Sequence, residues 1–142
     1  MNFEGGCHCG DCRYQLTWPQ GAGRLPARRC TCDYCTRFNA AWTSHPQARL
    51  AVSVPGGEQP GRYRFATATA DFLFCPRCGV AFAAVCEIDG ELKGVVNVNT
   101  LDGAEALEFD RSDSDFDGES RAQRLARRGD RWIGEVVLDH RA

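Results

Sequence analysis

A chain of 142 residues, 43% hydrophobic and 25% charged, is long enough for one domain, spanning 1–142, with a sizeable core. Its formal net charge of -2 supplies no global field for nucleic acid or an anionic membrane surface, so neither is expected as a partner. The most apolar run, GVAFAAVC at 79–86, is too short to cross a bilayer.

The opening, MNFEGGCHCG, has neither a basic start nor an apolar stretch, which suggests a cytoplasmic protein. There, clustered cysteines are more often metal ligands or catalysts than disulfides. In CRYQLTW (12–18), Tyr14, Leu16 and Trp18 alternate with Arg13, Gln15 and Thr17, the period of a strand with one buried face. Turn signals follow at PQGAG (19–23), PGG (55–57), PG (60 and 61), DG (89 and 90) and DG (102 and 103). Between them RLAVSV (49–54), DFLF (71–74), VAFAAVCEI (80–88) and LKGVVNVN (92–99) read as further strands, and RWIGEVVL (131–138) as the last. Only SRAQRLARR (120–128) has helical character, with thin apolar support from Ala122 and Leu125. The acidic DRSDSDFDGES (110–120) before it reads as a solvated loop, and the basic segment after it as an exposed helix without chemistry. The expected fold is all-β and mostly antiparallel.

Eight of the nine cysteines fall into three knots. Cys7, Cys9 and Cys12 form C-x-C-x-x-C, Cys30, Cys32 and Cys35 repeat the pattern, and Cys75 and Cys78 form C-x-x-C. Zinc bound tetrahedrally by thiolates at about 2.3 Å requires ligand sulfurs within about 4 Å of one another. A C-x-C pair meets this in extended chain, where i and i+2 share a face, and a C-x-x-C pair meets it across a tight turn. In CPRCG, Pro76 presets such a turn and Gly79 can take a positive φ. Each pair is half a tetrahedron, so pairs distant in sequence must meet. Two partitions compete. One closes a four-thiolate site from a C-x-C with Cys75 and Cys78 and leaves the other C-x-C-x-x-C with three thiolates and a vacant fourth position. The other recruits Cys12 as well and closes both sites, which stabilises a fold but leaves no position for substrate. Cys86 reads as a small buried apolar side chain, and His8 should point away from its neighbouring ligands. His45 and His140 have no evident partner.

The sequence GGCHCGDCRY, followed by CTCDYC, FCPRCG and VVNVNTLDG, resembles the glutathione-dependent formaldehyde-activating enzyme family, which includes the centromere protein V type of domain. The resemblance runs from about Gly5 to Gly103, with a weaker echo at FDGES (116–120). It implies small packed antiparallel sheets of the β-tent type and two zinc ions, one structural and one catalytic. It assigns Cys7, Cys9, Cys75 and Cys78 to the structural ion and Cys30, Cys32 and Cys35 to the catalytic one. The implied activity is that of a carbon–sulfur lyase, the reversible condensation of glutathione with formaldehyde to S-hydroxymethylglutathione. Cys12 departs from the family pattern, and a Cys12 that reached the second ion would leave it no open position.

On that reading the fourth position of the open site takes glutathione's sulfur in its ionised form. Asp33 and Tyr34, inside the middle motif, are candidate proton donors, and Arg28, Arg29 and Arg37 beside it are candidates for a glutathione carboxylate. Phe38 and Trp42 read as core. The principal alternative is a non-catalytic zinc-stabilised interaction module with two closed sites. A nucleic-acid module and a thiol-redox protein are further readings, the first disfavoured by the acidic balance. Oligomeric state is left open.

Overall fold

The structure, a computed structural model, describes residues 1–54, 59–65, 69–116 and 118–140. Two sheets carry it. The smaller joins β1 (Asn2–Gly6), β2 (Arg13–Thr17), β5 (Arg49–Val54) and β11 (Glu135–His140) in that order. The larger has seven strands: β10 (Phe109–Ser114), β3 (Leu25–Cys30), β4 (Ala41–Thr43), β9 (Glu91–Asn97), β8 (Ala81–Ile88), β7 (Asp71–Phe74) and β6 (Gly61–Tyr63). One helix, α1 (Arg121–Arg131), lies between β10 and β11.

Local sequence explains most of these elements. Tyr14 and Leu16 on β2, and Leu50, Val52 and Val54 on β5, are buried while their neighbours are more exposed, the alternation of a sheet covered on one face. Strands β8 and β9 meet at Asp89-Gly90, both with positive φ (53° and 80°), which a tight hairpin turn matching the strand twist requires. Strand β8 is buried continuously from Phe82 to Cys86 because it is covered on both faces. Phe82, Ala83 and Val85 belong to a core shared with the smaller sheet, through Tyr14, Leu16, Leu50 and Val52. Ala84 and Cys86 belong to a second core with Trp42, Val95 and Trp132. The larger sheet thus separates two apolar clusters, and each receives one group of cysteines.

The fold is all-β, as expected, with two differences in strand direction and two in extent. Both outer pairings of late strands are parallel, β10 with β3 and β11 with β5, so the sheets are mixed. The first five residues of the segment read as a solvated loop (110–120) belong to β10, Phe109–Ser114, in register with Leu25–Cys30. Its residues are exposed or half-buried, so a backbone ladder and the Arg29–Asp113 pair hold it, and neither leaves a hydrophobic period. Arg131 to Gly134, read as strand, ends the helix and forms the connection, where Ile133 is buried and bridges Gly94. Gly61 of the PG pair opens β6, where the Phe74 ring lies against its α-carbon. The PGG turn at 55–57 lies outside the described residues.

Candidate metal centres and the cavity beside them

Strand β1 ends at Gly6, directly before the first knot. Cys7 N–H donates to the Cys12 carbonyl at 2.9 Å, and Cys12 N–H donates to Cys7 Sγ at 3.3 Å, closing a loop that carries Cys9. Across the larger sheet, β7 delivers Cys75 into a second tight turn. There Arg77 and Cys78 N–H groups both point at Cys75 Sγ (3.4 Å each), Gly79 N–H returns to the Cys75 carbonyl at 2.8 Å, and Gly79 has φ +82°. The two turns bring Cys7, Cys9, Cys75 and Cys78 together, with all four sulfurs within 4.8 Å of one another. Cys9 Sγ lies 3.6 Å from both Cys7 Sγ and Cys75 Sγ. A tetrahedral thiolate site with bonds of about 2.3 Å places its sulfurs about 3.8 Å apart. The donor set fits a closed four-thiolate ion, and all nine cysteines are unbridged.

The middle motif leaves β3 at Cys30 and enters a short 3-10 turn, Cys35–Phe38, ended by Asn39 in the left-handed region (φ 53°). Cys35 N–H donates to Cys32 Sγ at 3.3 Å, and Thr36 Oγ1 donates to the Cys32 carbonyl at 2.9 Å. These contacts hold the sulfurs of Cys30, Cys32 and Cys35 within 4.8 Å of one another. A hydrogen bond from Cys35 pulls the Cys30 thiol down to about 6, and the Arg127 charge works in the same direction. That bond with Cys30, and burial, push Cys35 up. One sulfur of the group is therefore poised as a thiolate near neutral pH, and three thiolates fit an ion with one position left for an outside ligand.

Cys12 does not join them. It is fully buried, at 0% exposure, in the first core, and its thiol is pushed up by burial and by the nearby Cys75 and Cys7 sulfurs. Among the described residues, no fourth cysteine, histidine or carboxylate groups with the trio. Cys86 is buried in the second core, and His8 is exposed. His45 packs edge-on against Trp18 and accepts the Gln47 N–H.

The trio opens onto a cavity of about 520 Å³. Trp42, Phe72, Ala84, Val95 and Trp132 supply an apolar wall, so Trp42 is both core and cavity lining. Phe65 and Phe72, which line the cavity, form an aromatic cluster with Tyr34 and Phe38, the Tyr34 and Phe72 centroids 4.7 Å apart. Of the sequence candidates, Arg28 and Asp33 line the cavity. Arg29 instead pairs with Asp113 at 3.1 Å, and Arg37 is exposed in the 3-10 turn.

The chain matches the family model described as glutathione-dependent formaldehyde-activating enzyme over residues 2–113. The chain belongs to the glutathione-dependent formaldehyde-activating enzyme family. Among solved structures, a structural-genomics target from Rhodobacter sphaeroides is 30% identical, with a TM-score of 0.52 over 77% of this chain and 99% of that one. Membership supports an activity related to glutathione and formaldehyde. Among the described residues no helix is long and apolar enough to cross a membrane.

In this family member, sequence reasoning overlooked the other charged wall of the cavity. Arg124, Arg127, Arg128 and Arg131 of α1 all line it, although the helix read as exposed and without chemistry. The helix is fastened by a capping box in which Ser120 Oγ accepts the Gln123 N–H at 3.1 Å and the Gln123 side chain accepts the Ser120 N–H at 2.9 Å. These four of its five arginines occupy a roughly 100° arc at 100° per residue. Together with the S-x-x-Q start, that one-sided basic face was the available signal. Burial pushes both Arg28 and Arg128 down, Arg28 also through its neighbours Arg131 and Arg127.

Proposed function

We propose that this chain is a zinc-dependent carbon–sulfur lyase-like enzyme. It condenses an external thiol, glutathione by family membership, with formaldehyde to an S-hydroxymethyl thiol. The observation that carries the reading is the cysteine trio, which faces an arginine-lined cavity with no fourth protein ligand among the described residues. Cys7, Cys9, Cys75 and Cys78 would hold one ion that staples the two sheets, and Cys30, Cys32 and Cys35 the second. When bound there, zinc offers its fourth position to a substrate sulfur and favours the ionised form of that sulfur.

The protein's own residues do the rest. The Arg127 charge favours the Cys30 thiolate, and the Cys35 N–H donates to Cys32 Sγ. The apolar wall keeps bulk water from the reacting carbon. The carbon–sulfur bond forms as the carbonyl π pair moves to oxygen, and the proton released by the thiol returns to that oxygen as the new hydroxyl. Asp33 is the carboxylate lining the cavity among the described residues and serves as the relay for that proton. Tyr34 is committed to the aromatic cluster, where burial raises its phenol. The non-catalytic alternative needs Cys12 at the second ion, and Cys12 lies in the other core.

The test follows 13C-formaldehyde and glutathione by NMR with protein carrying two zinc ions per chain. Adduct formation and breakdown should accelerate, and Cys32→Ser should abolish the acceleration. Fully metal-loaded protein that leaves the exchange at its spontaneous rate would end the proposal.

A further inference from the structure

The basic wall of the cavity carries more charge than the fold itself uses. Glu119 accounts for two of its arginines: both oxygens accept from Arg127, at 3.0 and 3.1 Å, and one lies 3.6 Å from Arg124 Nε. Among the described residues no carboxylate forms an ion pair with Arg28, Arg128 or Arg131. Among the described residues, Arg28 Nη1 donates to the neutral Ser44 hydroxyl, at 2.9 Å. Arg128 is the most demanding. Only 7% exposed, it stacks on Trp132 with its guanidinium carbon 4.8 Å from the ring centroid and donates from Nη1 to Thr69 Oγ1 at 2.7 Å. Nη1 also donates to Cys86 Sγ, at 3.6 Å. Its Nε is buried without a hydrogen-bond partner among the described residues. A buried cation with no carboxylate paired to it among the described residues, and with an unmet donor, is unfavourable by itself. An anion entering the cavity would relieve both deficits.

We infer that Arg28, Arg128 and Arg131 form an oxyanion subsite for a multiply charged tail of the thiol substrate, a phosphate ester or a pair of carboxylates. Guanidinium forks pair bidentately with such groups, and three uncompensated charges exceed what one carboxylate supplies. Residues Arg128 and Arg131 lie beyond the 2–113 stretch matched to the family model. That the tail's owner is a thiol rests on the proposed lyase reading; the anion subsite itself does not.

Calorimetric titration of the zinc-loaded protein with inorganic pyrophosphate and with succinate separates the two sources, the tighter ligand naming the tail. At low salt the preferred anion binds in the sub-millimolar range, and added salt weakens it. Arg131→Gln and Arg128→Lys each weaken it by about tenfold, whereas Arg121→Gln, exposed on the same helix, does not. The Arg131→Gln arm stands even where the buried Arg128 resists replacement. In the adduct assay, Arg131→Gln lowers the ratio of kcat/KM for charged thiols (glutathione, 4′-phosphopantetheine) to that for cysteamine by a similar factor. If neither anion binds, or binding ignores Arg131, the subsite is refuted even if adduct chemistry proceeds. If binding depends on the arginines but no thiol yields an adduct, the subsite stands and the lyase reading fails.

Discussion

Two cysteines three positions apart in sequence should behave oppositely when truncated. Cys9 is one of four sulfurs within 4.8 Å of one another, whereas Cys12 lies beside that group in the core and outside it. Cys12→Ala removes one buried heavy atom, and the backbone hydrogen bonds that Cys12 makes to Cys7 survive. Deleting one buried heavy atom costs about 1 kcal/mol. For a chain of this length that lowers Tm by roughly 3–4 °C. Metal content should stay at two ions per chain. Cys9→Ala opens the shell. Structural zinc contributes on the order of 10 kcal/mol in small domains. Losing even a third of that removes about 3 kcal/mol from a total that is typically about 5–15 kcal/mol. Tm should fall by roughly 10 °C or more, with one ion remaining. Plasma mass spectrometry for zinc, combined with scanning calorimetry, reads both quantities. A Cys12→Ala protein with one ion beside a Cys9→Ala protein with two would refute the assignment of these sulfurs.

Gly6→Ala should shed the same ion, because an added Cβ collides with the Cys12 carbonyl that accepts the Cys7 N–H. A cost of about 1–3 kcal/mol is expected from such overpacking, seen as lower Tm and a metal count reduced at the first cluster while the trio keeps its ion. Ser120→Ala removes the α1 cap and should cost about 1 kcal/mol, read as a Tm drop with unchanged metal content. Asp71 accepts hydrogen bonds from Arg64 at 2.7 Å and Arg62 at 3.0 Å, and these hold its carboxyl below the usual range of about 3.9. A depressed carboxylate contributes stability that is present above its unfolded value and lost as pH falls through the folded one. An NMR titration should place the Asp71 midpoint below that of an ordinary aspartate, and Arg64→Gln should raise it. A midpoint that Arg64→Gln leaves in place would remove Arg64 as the cause.

Much of the site was legible because its geometry is local. A C-x-x-C closed by Gly79 and a C-x-C-x-x-C leading into a 3-10 turn bring sulfurs together through the hydrogen bonds of a few adjacent residues, whatever the rest of the chain does. Strands β2, β5 and β7 were legible for a related reason, since burial on one face or in a short apolar run writes itself into residue order. Other features depended on long-range contacts that leave no local period. Cys9 meets Cys75 across 66 positions, and the side of the larger sheet on which Cys12 falls follows from the packing of β1 and β2 rather than from spacing. Strand β10 is nearly all polar and exists because the β3 edge offers it a ladder. The arginines of α1 face the cavity because the parallel β10–β3 pairing sets Ser114 beside Cys30 and the chain then carries the helix over the second core. The cysteine spacing is thus written in the chain itself, whereas the placement of Cys12 away from the trio, and the charge of the wall around it, came from how distant segments pack.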